Sequence, residues 1–244
     1  MATHDSPGCS SLDRRQFLLY RLFSLAGLVP VGAYVVVHLL VNATILDGPA
    51  TYQSQVDRIH ALGIILPLVE WTFIFIPILF HGIVGLVIIS GSMPNAAAYP
   101  YNGNIRYTLQ RATGMIVFAF IILHVWQMHK MGVAFGGGRF DAEHASSTVA
   151  EVLTPFSWKL IYGIGVLTAV FHLANGLWTA GITWGIWTTP AAMRRAGWIS
   201  LVVGLIVGAA GFVSIVGFAN TDIKKSQVIE DRLEKFHKME TGAE

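Results

Sequence analysis

The chain has 244 residues, 54% of them hydrophobic and 12% charged, where a soluble domain carries roughly 25% charged residues. With a mean hydropathy of +0.58, this composition excludes an ordinary soluble enzyme and makes membrane lipid the solvent for most of the chain. A formal net charge of +2, spread over loops and tails with no basic stripe, excludes nucleic-acid binding.

The polar start carries the single cysteine, Cys9, so the chain alone supplies no disulfide, thiolate zinc site or iron–sulfur cluster. The run Asp13-Arg14-Arg15-Gln16-Phe17-Leu18-Leu19 has the look of a twin-arginine export signal. The apolar stretch behind it is of spanning length, however, carries Arg21 at its start and lacks a small-residue cleavage site. The arginines therefore read as cytoplasmic anchors. Runs reaching the roughly 20 residues of a transmembrane helix are Leu22–Ile45, Ile64–Ile89, Thr108–Val133, Phe156–Thr183 and Gly197–Ala219. They predict an all-α integral membrane bundle of five transmembrane helices, with a cytoplasmic tail over 1–20, the membrane domain over 21–220 and a polar tail over 221–244.

An N-terminus in the cytoplasm places Arg14, Arg15, Arg21, Arg106, Arg111, Arg194 and Arg195 inside, against Arg58, Lys130, Arg139 and Lys159 outside. The C-terminal tail then falls outside, and its basic residues count against the assignment. Asp222, Glu230, Asp231 and Glu234 offset them, so the tail reads as a solvated helical extension of mixed charge. The long loops Leu46–Gly63 and Gly132–Pro155 lie on the outer side in this orientation.

His38, His81, His124 and His172 each fall about 15 to 18 residues into their spans, separated by 43, 43 and 48 positions. Successive spans run in opposite directions, at about 1.5 Å of depth per residue. The imidazoles consequently sort into an outer pair, His38 with His124, and an inner pair, His81 with His172. Two stacked bis-histidine haems need such pairs, because each iron takes one imidazole from either side of a bundle. Gly82, Gly85, Gly114, Ala174 and Gly176 supply small side chains that let a planar macrocycle slide between helices. One intramembrane histidine alone reads more simply as a polar cross-link or a proton relay. The alternative to haem is accordingly a haem-free transporter or proton channel using these histidines. His60, His129 and His144 read as interfacial or solvated, His60 and His129 being candidates for a quinone or proton path, and His4 and His237 lie in the tails. Span five holds no histidine, and Gly204, Gly208 and Gly211 mark it as a packing helix.

The segments RLFSLAGLVPVGAYVVVHLLVN (21–42), EWTFIFIPILFHGIVGL (70–86), QRATGMIVFAFIILHVW (110–126) and VFHLANGLWTAGITWGIWTTP (170–190) resemble the five-span, dihaem cytochrome b subunit of succinate:quinone oxidoreductases, of the Bacillus-like succinate dehydrogenase and fumarate reductase type. The resemblance implies that His38, His81, His124 and His172 ligate the irons of two haem b groups. It also implies that Arg21 and Ser24 lie near inner-haem propionates and that a quinone, expected to be menaquinone, reacts near the outer haem. Glu70, 11 residues before His81, matches the family's pattern as a carboxyl able to protonate reduced quinone, although helix capping is a competing reading; Asp57 is a second candidate. The implied partners are a flavoprotein subunit and an iron–sulfur subunit on the cytoplasmic face of a bacterial inner membrane, with a higher oligomer of the complex left open. The dehydrogenase active site would be theirs, because no Gly-rich nucleotide loop or soluble segment of sufficient size is present here. Dihaem subunits of hydrogenases or formate dehydrogenases would share the histidines but not the quoted segments.

Overall fold

The computed structural model describes residues 11–91 and 97–241; His4, Cys9 and Glu244 lie outside the described residues. Without water to satisfy peptide groups, a chain in hydrocarbon must bond them within each segment, and among the described residues no strand occurs. Helices long and apolar enough to cross a membrane are α1 (Arg14–Asp47), α3 (Gly63–Ser90), α4 (Asn102–Met128), α6 (Phe156–Thr183) and α7 (Pro190–Ala219). Among the described residues three further α-helices, α2 (Pro49–His60), α5 (Ala145–Val152) and α8 (Ile223–Thr241), lie in the connections and at the C-terminal end.

The number and order of spans match the sequence reading, as do both ends of Phe156–Thr183 and the Ala219 end of the last span, while several other ends lie further out or fall short. The chain is already helical from Ser11, so much of the expected N-terminal tail prolongs α1. Helix α4 takes in the polar stretch Asn102–Tyr107 and stops at Met128, short of the expected Val133. Apolarity marks the part of a helix that meets hydrocarbon, and the backbone stays helical beyond it. The stop after Met128 has a local cause. The chain folds back so tightly on the Trp126 carbonyl that a Cβ on Gly132 or Gly137 would lie 1.8 or 1.9 Å from its oxygen. Gly136 and Gly138 turn it with φ of 75° and 68°, which only glycine adopts readily.

Two spans carry a proline past their first turn, and both widen near it. Residues Gly27–Gly32 of α1, containing Pro30, and Trp71–Phe75 of α3, just before Pro77, are π-helical turns. The wider turn accommodates the missing N–H and the ring's clash with the carbonyl four residues earlier. These two turns touch each other.

Helices α1, α3, α4 and α6 form a ring, each packed against its neighbours, and α7 lies outside it against α1 and α6. Leu39, Val170, Val207 and Ala210 make the buried seam at that junction, where Gly208 and Gly211 bring the α7 backbone against Val170 and Val166 of α6. The outward faces are apolar, with Leu167 70% and Leu205 65% exposed, as befits a surface solvated by lipid tails.

One end of the bundle is capped. Helices α2, α5 and α8 pack on one another there around Tyr52, Val56, Val149, Val152 and Phe218. The C-terminal extension, expected to be solvated, docks through a fully buried carboxylate. Glu230 Oε1 accepts hydrogen bonds from Ser146 N at 2.7 Å, Ser147 N at 3.1 Å and Ser146 Oγ at 2.5 Å. It thereby satisfies the first amides of α5 and sits at the positive end of that helix dipole. Gln53 of α2 accepts from Ala145 N at 3.0 Å and donates to the Ala142 carbonyl at 2.6 Å. Period-based reading could not see this clamp, because it depends on a partner 84 residues away.

Candidate haem site

The ring of four helices encloses a cavity of about 1210 Å³ lined by His38, His81, His124 and His172. A single drug-sized ligand occupies a pocket of roughly 300–1,000 Å³, so the space suits more than one such group. The histidines meet in the two pairs expected. His38 and His124 have ring centroids 5.8 Å apart at an interplanar angle of 72°, and His81 and His172 are 6.1 Å apart at 82°. Two imidazole nitrogens each about 2 Å from a shared metal place their ring centroids roughly 6 Å apart.

Hydrogen bonds at the other ring nitrogen set the tautomers. His81 Nδ1 donates to the Phe23 carbonyl at 2.9 Å, and His172 Nδ1 donates to the Gln110 carbonyl at 3.1 Å. His124 Nδ1 lies 3.2 Å from the Tyr162 hydroxyl, whose one proton goes to Gln127 Oε1 at 2.9 Å. That hydroxyl can only accept from the ring. In all three the proton is on Nδ1 and the Nε2 lone pair is left for a metal, the arrangement that orients metal-ligating histidines. Gln110 Nε2 stands 3.4 Å from His172 Nε2, too long for a strong bond, and the same amide donates to the His172 carbonyl at 3.2 Å.

Close approach of backbone makes room for the rings. A Cβ on Gly27 would lie 2.2 Å from His81 Cε1, and one on Gly114 would lie 3.0 Å from His172 Cε1. Phe23 stacks on His81 at 4.3 Å, the planes within 1°. The residues therefore fit two bis-histidine haems: paired rings at the right separation, Nε2 lone pairs left for a metal on His81, His124 and His172, and an apolar cavity between helices.

Of the small residues singled out from sequence, Gly82, Gly85, Gly114 and Gly176 line the cavity, whereas Gly204 of α7 approaches Ala174, its Cβ position 3.1 Å from that of Ala174. Ser24 lines the cavity. Arg21 instead spreads its guanidinium over the Phe17 and Trp184 rings, 4.6 and 4.9 Å from their centroids, and among the described residues it is not part of the lining. Arg106 and Arg111 are. Arg106 donates to Asn175 at 2.7 Å, Asn175 donates to Gln110 at 2.7 Å, and Gln110 holds His172. Gly27, Arg106, Gln110 and Tyr162 had not been picked out. A search for polar side chains within apolar spans would have found Gln110 and Tyr162, whereas Arg106 lies just ahead of the Thr108–Val133 run.

Glu70 lines the cavity at the capped end, 3.6 Å from His129. Asp57 lies elsewhere, in a small cavity of about 180 Å³ beneath α8, where it accepts from Gln53 at 2.8 Å. On the cap surface His144, Asp231 and Glu234 bring ligand atoms within 4.8 Å of one another. His144 already uses both ring nitrogens there, on Asp231 at 3.0 Å and Asp141 at 3.4 Å. The Asp231 hydrogen bond, opposed by partial burial and aided by Asp141 and Glu230, holds its imidazole above the usual 6.5.

Fold and site together define an integral membrane helical bundle with paired histidines across one internal cavity. No family model matches the chain. It is 32% identical to the succinate dehydrogenase cytochrome b558 subunit of Bacillus subtilis (strain 168) over 204 residues, covering 84% of this chain and 98% of that protein. The chain belongs to the family of succinate dehydrogenase cytochrome b membrane subunits.

Proposed function

We propose that this subunit anchors a succinate:quinone oxidoreductase in a bacterial inner membrane. In this reading it passes electrons from a partner iron–sulfur subunit, fed by a flavoprotein subunit, through two b haems to a quinone, with menaquinone the expected acceptor. The observation that carries the reading is the pair of facing histidine couples on one apolar cavity. Haem held there supplies one-electron carriage along the bundle axis.

The chain's own residues do the rest. His81 and His172 would hold the inner iron, and His38 and His124 the outer one. Ser24, Arg106 and Arg111 line the cavity and would meet propionates with a hydroxyl and guanidinium groups. Glu70, at the opposite end of the cavity, would hand a proton to reduced quinone. With the N-terminus in the cytoplasm, dehydrogenase and quinone lie at opposite faces, and each electron crossing is worth about 2.3 kcal/mol per 100 mV of membrane potential.

The test is a reduced-minus-oxidised spectrum with a haem count on protein purified in mild detergent, for wild type, His81→Ala and His124→Ala. Two b haems per chain, with each substitution removing or altering a different one, supports the reading. Absence of haem overturns it and hands the histidines to a transport or proton-conducting role.

A further inference from the structure

At the capped end the cavity wall carries polar groups that neither histidine couple uses. Helix α4 stops at Met128, and His129 leaves it with extended backbone, φ −86° and ψ 145°. The Met131 amide then donates to His129 Nδ1 at 3.2 Å. With the Nδ1 lone pair engaged, the ring proton sits on Nε2. Nε2 faces Glu70 Oε2 at 3.6 Å, the two side chains being 23% and 22% exposed. Phe75 holds the ring edge-on at a centroid distance of 5.3 Å. At that separation Glu70 and His129 do not hydrogen-bond each other directly, so the Nε2–H stays available to an acceptor. Apolar Leu66 and Pro67, with Tyr34, His60 and Lys130, line the same cavity.

We propose that His129 is the hydrogen-bond donor that binds a carbonyl oxygen of the quinone, beside the carboxyl that protonates it. The inference rests on the quinone-reducing function proposed above and adds a division of labour to it. His129 keeps its Nε2 proton and fixes the headgroup, while Glu70 moves a proton. The Met131 N–H occupies Nδ1, so the ring binds through Nε2.

The experiment measures KM and kcat for a naphthoquinone with the whole detergent-solubilised complex, haem content serving as the check on assembly. His129→Ala is expected to raise KM about tenfold, the usual cost of one lost hydrogen bond to a bound group, with the pH profile of kcat unaltered. His129→Gln, which restores an N–H donor, is expected to recover most of the loss. Glu70→Gln is expected to lower kcat and change its pH profile. Should His129→Ala fail to assemble, His129→Phe keeps the packing on Phe75, removes the donor and is read in the same way. An unchanged KM in the histidine variants together with a slowed Glu70→Gln enzyme overturns the inference and leaves the proposed function standing. Unchanged quinone kinetics in all variants overturns the inference together with the Glu70 role, placing the quinone elsewhere, whereas a wild-type complex that reduces no quinone overturns the proposed function itself.

Discussion

The two histidine couples are built differently. His81 and His172 are anchored through Nδ1 to backbone carbonyls, those of Phe23 and Gln110, and their rings rest against the Cα positions of Gly27 and Gly114. At the other couple, His124 is anchored to a side chain, the Tyr162 hydroxyl, and stacks near Phe120 at 5.8 Å. His38 stacks on Tyr34 at 5.4 Å. A backbone anchor follows from the fold and cannot be removed by changing the anchoring residue. A side-chain relay can be, so the couple at the capped end is the one whose surroundings substitution can alter without moving the helices.

Gly27→Ala should break the comparison most severely. Its new Cβ would stand 2.2 Å from His81 Cε1, so ring or helix must move, at a typical overpacking cost of about 1–3 kcal/mol. On the proposed assignment the His81–His172 haem signal is lost or strongly altered in the optical spectrum while the other is kept. Gly85→Ala, whose Cβ would meet Phe23 at an ordinary 3.5 Å, is the matched control and should leave both signals.

Tyr162→Phe should act on the other couple alone. It leaves the His124 Nδ1–H and Gln127, which is 3% exposed, without their shared partner, a loss of about 1–3 kcal/mol. A redox titration should show the potential of the His38–His124 centre changed and that of the other centre unmoved.

Smaller still is the effect of Glu230→Gln. Tyr162 belongs to the same buried cluster as Val149 and Leu153, and the Glu230 clamp positions the start of the segment carrying both. Neutralising the clamp weakens charge-assisted bonds at a helix start, a loss of about 0.5–2 kcal/mol. Hydrogen exchange should rise across 145–152 and 223–241 and nowhere in α3.

The mildest perturbation is pH. Because the folded-state imidazole of His144 is held above its ordinary 6.5, its clasp on Asp231 and Asp141 contributes fully below that value. It fades as pH rises through the raised one. Protease sensitivity of α8 should therefore increase on the alkaline side of 6.5, and His144→Ala should remove the pH dependence.

What the sequence made legible was whatever repeats with the helix or the bilayer. Spanning runs are set by lipid thickness, so all were readable, and matched depth along antiparallel helices was enough to pair His38 with His124 and His81 with His172. Contacts between distant segments were not. Gly27 carries no mark of the ring lying against it 54 positions later, at His81. The resemblance pointed to Arg21 as a propionate contact, but its guanidinium lies over the Phe17 and Trp184 rings, while Arg106 of α4 lines the cavity. The C-terminal helix looked solvated because its charges are mixed, and only the fold reveals which carboxylate is buried.

The Glu230 clamp also bears on how the protein is made. Helix α5 receives the acceptor for its first amides from a residue synthesised 84 positions later. At translation rates of about 5–20 residues per second, the ribosome needs roughly 4–17 s to supply it. By then the helices that carry His38, His81, His124 and His172 have all been made, so the capped end is finished last.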